Sequence, residues 1–393
     1  MASKGAINSS RERMQAMSIM IRKLLGFTLL FWLAAAYVFV GAANAQTSRD
    51  AEWKKTVEAA KKEGQVTIYT ESGQNTLLID SMAFQKRFPE IKVIIAFGNS
   101  FPRILTERRA GKYLADIALS GGTSLWQMYS AGILDPVRDA FILPEVTDES
   151  KWLDKRHHYI DAERKYIFVA VGNPDSGNFY YNTKLINPKD FHSMWDFLRP
   201  ELKGKISARD VRTPGPGRVT IRFYYYIPEL GSTFIYRLFS EMDVALFRDQ
   251  RQGHDWLATG KYPICVFCNQ STIETVKLQG LPVEKFGSMK EGVGLSSGGG
   301  NVALVNRAPH PNAAKVFINW YLSREGQIAV QAVEGGFSNS RRMDVPRDMI
   351  PADRRLEAGV NYVDVDTSER MSMEPMLKVF NAAIAEAEKR RKK

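Results

Sequence analysis

Four arginines, Arg209, Arg212, Arg218 and Arg222, gather in and just after residues 204–218, GKISARDVRTPGPGR. The apolar start (Ile206, Ala208, Val211) reads as a strand. Residues 213–217 cannot be regular structure, because proline removes backbone donors and glycine relaxes the chain. A helical pattern from 218 to 227 then ends at Pro228. Strand, Gly/Pro loop and helix start aim free N–H groups and the positive end of a helix dipole at one point, an arrangement suited to an anion. Arg218 and Arg222, four apart, share a helix face. The same residues also fit an ordinary βα turn with solvated arginines. No P-loop lysine follows the glycines, which sets nucleotide hydrolysis aside.

Other reactive residue types are sparse. The chain has two cysteines, Cys265 and Cys268. A C-x-x-C pair in an exported protein fits a local disulfide, two plain thiols or a redox motif. Redox motifs open a helix, whereas Cys265 lies in a strand-like run, and a disulfide there requires a turn at Phe267. His157 and His158 fall in a charged connecting segment, His192 in a loop, and His254 and His310 near helix starts. None has carboxylates at metal-ligand spacing, so surface or capping roles are expected and no metal or cofactor is assigned. There is no G-x-S-x-G nucleophile turn. Tyr224, Tyr225 and Tyr226 spread over about 200° of a helix, so all three cannot face one metal.

The elements that position these residues begin after residue 45. Arg22 and Lys23 precede the apolar run 24–40, and Ala43-Asn44-Ala45 offers a cleavage site before Gln46. That is the pattern of a cleavable secretory signal peptide, with an uncleaved membrane anchor as the alternative. The net charge of +11 sits largely at the ends, since five Lys/Arg and one acid lie in residues 1–45 and the last five residues are all basic. The folded body is near neutral and no nucleic-acid-reading motif is present, so a nucleic-acid partner is not expected. At 393 residues, 44% hydrophobic and 25% charged, the chain is globular and long enough for two domains. Apolar strands at 66–70, 91–97 and 116–119 alternate with helices and end in polar loops at 71–75, 98–100 and 120–124. This βαβαβ order implies a parallel sheet whose ligands lie beyond the strands' carboxyl ends. Residues 172–177 interrupt two strands and suit a crossing between domains. Residues 292–300 read as a flexible return.

Residues 301–315, NVALVNRAPHPNAAK, continuing to Leu322-Ser-Arg-Glu-Gly-Gln327, resemble a signature of type II periplasmic solute-binding proteins. Residues 180–186 (YYNTKLI), Trp195-Asp196-Phe197-Leu198 and residues 202–206 (LKGKI) are similar to that family's second-lobe segments, and Gly64-Gln-Val-Thr-Ile-Tyr69 also fits. The resemblance spans about residues 50–345 and lies closest to the ferric-iron and sugar-phosphate branch of bacterial ABC-importer binding proteins. It implies an α/β, two-lobed type II fold with a ligand cleft between the lobes, no enzymatic activity, and hinge closure on a small solute delivered to a membrane permease and its ATPase. Ferric-binding relatives carry adjacent tyrosines where this chain has Cys268-Asn269-Gln270, so a tyrosine pair for iron is not expected.

The expected division is a signal peptide (1–45), lobe 1 (46–165), lobe 2 (166–290), a return to lobe 1 (291–345) and a C-terminal helical segment with a basic tail (346–393). Cleft residues are expected at Ser72, Ser100, Gly121 and Thr123 from lobe 1, and at Arg212, Thr213, Gly217, Arg218 and Gln270 from lobe 2. The expected ligand is anionic or an anion-bearing chelate. The protein is expected to be periplasmic and monomeric. The competing functions are an exported thiol oxidoreductase using Cys265 and Cys268, and a membrane-tethered solute sensor.

Overall fold

The computed structural model describes residues 47–175, 177–213, 216–268, 273, 276–333, 338–351, 355–356 and 362–392. The signal-peptide expectation and Gln270 lie outside these residues. Among the described residues no helix is long and apolar enough to cross a membrane.

After helix α1 (residues 47–63), the chain builds β1 (Gln65–Thr70), α2 (Gly73–Asp80), α3 (Ala83–Arg87), β2 (Lys92–Phe97), α4 (Ser100–Arg109), β3 (Ile117–Ser120) and α5 (Gly122–Ser130). β1 pairs in parallel with β2 on one side and β3 on the other. The sheet is extended by antiparallel β13 (Asn301–Val305), which also pairs β4 (Leu134–Asp135) and β5 (Ile167–Val169). Its strands are apolar almost throughout because both faces are covered. Val66, Ile68, Ile117, Leu119 and Val302 face one cluster, built with α10 (Pro311–Leu322), while Tyr69, Ala118, Ala303 and Val305 face another. α6 (Pro144–Thr147) and α11 (Arg324–Gln331) complete this lobe.

A second sheet runs β11 (Val283–Lys285), β7 (Phe179–Asn182), β10 (Ile264–Val266), β8 (Ile206–Arg209), β9 (Ala245–Phe247). β8 is parallel to both β9 and β10. α7 (Pro216–Tyr226) and α8 (Gly231–Glu241) cover one face through Ile221, Phe223, Phe234 and Leu238. α9 (Gln250–Ala258) contributes Leu257 to the other, beside Tyr180 and Cys265. The last helix, α12 (Glu374–Arg391), packs Met376, Phe380 and Ala383 into this second lobe.

A third, small sheet joins the lobes. β6 (Asn173–Asp175) leads out of the first lobe, and β12 (Val293–Ser296) leads back, antiparallel to it. β14 (Tyr362–Asp364) adds alongside β12 in parallel. Residues 293–296 are therefore a paired strand and not the flexible return expected. Leu295 is buried, and strands from two distant parts of the chain satisfy the backbone of β12 despite its glycine-rich surroundings.

Candidate cleft between the lobes

The polar loops that follow β1, β2 and β3 meet through one side chain that sequence reasoning passed over. Glu71 Oε1 accepts the backbone N–H of Ser100, the first residue of α4, at 2.9 Å, and the hydroxyl of Ser124 in the first turn of α5 at 2.8 Å. A carboxylate is favourable there because helix starts present unpaired N–H groups and positive dipole ends. Asn75 Nδ2 secures the same edge, donating to Leu119 O at 2.9 Å, Gly299 O at 3.0 Å and Thr70 Oγ1 at 3.1 Å. α2 begins at Gly73, earlier than the polarity of residues 71–75 suggests.

Within this cluster Ser72 precedes α2, and its N–H donates to Thr70 Oγ1. Ser100 is buried, its hydroxyl turned back to Gly98 O at 3.3 Å. Gly121 precedes α5, and Thr123 is exposed at the helix start. The structure thus brings all four lobe-1 candidates to one sheet edge.

In lobe 2 the residues after β8 fold around Asp210, which is buried. Arg212 chelates its carboxylate with Nε and Nη2, both at 2.7 Å, and Arg248 adds a contact at 3.3 Å. Burial opposes ionisation of Asp210, and the hydrogen bonds and charge of Arg212 more than offset it, holding the pKa below the ordinary carboxylate value. Thr213 Oγ1 donates to Asp210 O at 2.7 Å. Arg218 donates to the carbonyls of Val211 and Arg212, at 3.2 and 2.9 Å. Gly217 is a packing glycine, since a Cβ there would lie 3.2 Å from both Phe267 Cβ and Val211 Cγ1. These arginines are thus bound to the loop's own carboxylate and carbonyls.

The remaining arginine of the group reaches across. Arg222 on α7 is buried, lies 3.4 Å from Asp366 Oδ1, and donates from Nη1 to Met371 Sδ at 3.0 Å. Asp366 Oδ2 accepts the N–H and hydroxyl of Ser297, at 2.9 and 2.5 Å. A Cβ on Gly122, at the start of α5, would stand 3.3 Å from Asp366 Oδ1. The second lobe's arginine helix thus meets the first lobe's helix start through a carboxylate of the C-terminal segment. Sequence spacing carries no signal for that contact.

Cys265 and Cys268 form a disulfide with Cα atoms 6.0 Å apart, and Phe267 between them takes a left-handed φ of 64°. Both cysteines are fully buried. His157, His158 and His254 are buried and depart from the surface or capping roles expected, whereas His192 is exposed in its loop as expected. His157 sits among Phe141, Trp152, Tyr159 and Phe168, with Nε2 2.9 Å from Val146 O. His158 Nε2 is 2.9 Å from Leu153 O, and His254 is buried in α9. His310 stands at the start of α10 without a side-chain bond to the helix; its Nδ1 lies 2.9 Å from buried Asp116, whose other oxygen accepts the His310 N–H at 2.7 Å. Tyr224 is buried with its hydroxyl on Gly177 O, while Tyr225 and Tyr226 are half-buried. Among the described residues no group of three or more His, Cys, Asp or Glu side chains is arranged to hold a metal ion.

Solved periplasmic binding proteins share this architecture. The chain superposes on AfuA of Actinobacillus pleuropneumoniae, determined with exogenous fructose-6-phosphate bound, with a TM-score of 0.59 and 19% identity over 83% of this chain and 99% of that one. Iron-bound HitA of Pseudomonas aeruginosa gives 0.58 and 18%, covering 81% and 99%. FutA (IdiA) of Trichodesmium, in complex with iron and citrate, gives 0.58 and 18%, covering 83% and 99%. At such identities these likenesses establish the fold alone. No protein of curated function matches the chain significantly. The profile of bacterial extracellular solute-binding proteins matches residues 75–328, well over half of the sequence, and the chain belongs to that family.

Proposed function

We propose that this protein captures a small anionic solute, or an anion-bearing chelate, in the periplasm and delivers it to an inner-membrane permease driven by an ATPase. The family consists of binding proteins of ABC importers, not of enzymes, so capture and delivery are the function. In that reading residues 46–165 with 291–345 move as one lobe, together with β5 (Ile167–Val169), which pairs β13 and so falls on the first-lobe side of the expected boundary at 166; the rest of 166–290 moves as the other, with 346–393 attached. The mature chain begins at Gln46 and acts as a monomer.

The observation that supports the ligand class is the convergence of the starts of α2, α4 and α5 on one sheet edge, where Ser72, Ser100, Gly121 and Thr123 lie. Helix starts favour an anion without a dedicated cation, and those of α4 and α5 already hold the Glu71 carboxylate beside the site. Arg212, Thr213, Gly217, Arg218 and Gln270 are the proposed facing surface in lobe 2. The bound fructose-6-phosphate of AfuA and the iron and citrate of FutA are ligands of this chemical kind.

Thermal-shift measurements on the mature protein test the proposal. Carboxylates, phosphate esters and ferric citrate are compared with neutral sugars, and a bound solute raises the melting temperature by linkage. Stabilisation by an anionic solute is the expected result. Stabilisation by neutral solutes alone overturns it. Mass measurement of periplasmic protein checks the mature start at Gln46.

A further inference from the structure

Residues 364–371 belong to neither lobe and touch both. The segment starts as β14 in the joining sheet. Its Asp364 carboxylate accepts from Arg341 Nη1 at 2.6 Å, and Arg341 in turn donates to Val171 O at 3.1 Å, at the root of the first lobe. Two residues on, Asp366 binds Ser297 and approaches Gly122 on the first-lobe side, while Arg222 of the second lobe approaches its other oxygen. Glu369 O accepts the hydroxyl of Tyr226, from the end of α7, at 3.1 Å. Met371 then packs in the first lobe's apolar cluster with Ile160 and Leu125. Finally α12 leaves to bury Met376 and Phe380 in the second lobe.

Asp366 thus receives a backbone N–H, a hydroxyl and a guanidinium at a helix start, the set of groups expected for a bound anion. The anion present is the chain's own. A buried ion pair contributes little net stability compared with apolar packing, so its retention suits a role in fixing relative position.

We propose that residues 364–371 form an interlobe strap pinned by Asp366 on Arg222 and Ser297, which holds the two lobes together before any solute binds. Opening the cleft withdraws Arg222 from Asp366 and Met371, leaving the buried guanidinium without its acceptors and Asp366 with Ser297 alone. The strap therefore sets the resting angle between the lobes. The proposal rests on hinge movement of the lobes and not on the identity of the solute, and its test is made without solute, so failure of the ligand assignment leaves it standing.

Spin labels on Lys86→Cys in lobe 1 and Lys184→Cys in lobe 2, both exposed, report the interlobe distance in the ligand-free mature protein. The native strap should give a single narrow distance distribution. Asp366→Asn and Arg222→Met should each broaden it and shift it to longer distances, with far-UV circular dichroism confirming that the variants fold. Unchanged distributions in folded variants overturn the proposal, as does a broad distribution with the native strap. Hydrogen exchange on the unsubstituted protein supplies an independent reading, because the Ser297 N–H donates to Asp366. It should exchange at least a hundredfold more slowly than an exposed loop amide, and exchange at the loop rate refutes the strap.

Discussion

The guanidinium of Arg212 lies against the carboxylate of Asp210 with two hydrogen bonds of 2.7 Å, a fork-to-fork pair closed within one short loop. The stretch with the strongest anion-binding signature therefore carries its own anion. Arg212→Ala leaves buried Asp210 with the more distant Arg248. Because Arg212 is partly solvated, the expected loss in urea unfolding at pH 7 is about 1–2 kcal/mol, below the fully buried value. An unchanged unfolding midpoint shows that the pair has no structural weight.

Glu71 gives a sharper test of ligand charge. Its carboxylate sits where α4 and α5 begin, so an anionic solute approaching that edge is repelled by it. Glu71→Gln keeps the shape and removes the charge. Affinity for an anionic solute should rise roughly tenfold, a gain of about 1.4 kcal/mol, in isothermal titration calorimetry. A fall in affinity instead identifies Glu71 as a ligand for a cationic or metal-bearing solute.

His158 makes stability pH-dependent well above the carboxylate range. Burial, reinforced by the charge of Arg341, pushes its pKa down from 6.5 to about 4. The folded protein keeps the ring neutral while the unfolded chain binds a proton below about pH 6.5, so the unfolded state is favoured progressively as pH falls. Stability should decline between pH 6.5 and 4 by on the order of 3 kcal/mol, at about 1.4 kcal/mol per pH unit, and that contribution levels off below pH 4. Burial lowers His157 and His254 in the same direction. Urea unfolding from pH 7.5 to 4 measures the slope, which should flatten in His158→Gln. An identical slope in that variant assigns the effect elsewhere.

The Cys265–Cys268 bond is enclosed, with both residues fully buried. Titration of the folded, non-reduced protein with a thiol reagent should find no free thiol. A thiol oxidoreductase needs an accessible, activated thiolate, so rapid reaction of the native protein with a mild dithiol revives that reading. Replacing both cysteines by alanine removes only a very short closed loop and should cost about 2 kcal/mol in the chain-entropy account.

The first lobe was largely legible in its strands. Val66, Ile68, Ile117 and Leu119 lie in runs that are apolar on both faces, and the polar residues after them mark the sheet's carboxyl edge. Helix 311–322 was equally plain, from Pro311 at its start to the apolar residues along it. Residues 293–296 were not, because Gly292, Gly294 and Gly298–Gly300 hide a strand whose pairing partners lie more than 60 residues before and after it. His157 and His158 escaped for a different reason, since their ring nitrogens meet carbonyls only 11 and 5 residues away across irregular chain, which leaves no periodic spacing to read.

By itself the sequence determined the α/β order, the polar edge that gathers Ser72, Ser100, Gly121 and Thr123, and the family to which the chain belongs, because these rest on local periodicity and on motifs in order. Only the tertiary structure decided what the charged groups do. Arg212 and Arg218 turn to their own loop, Glu71 joins two helix starts, and Arg222 meets Asp366 from 144 residues along the chain. A charge is recruited by whichever opposite charge or hydrogen-bond partner folding buries beside it, and that neighbour is set by packing, not by position in the sequence.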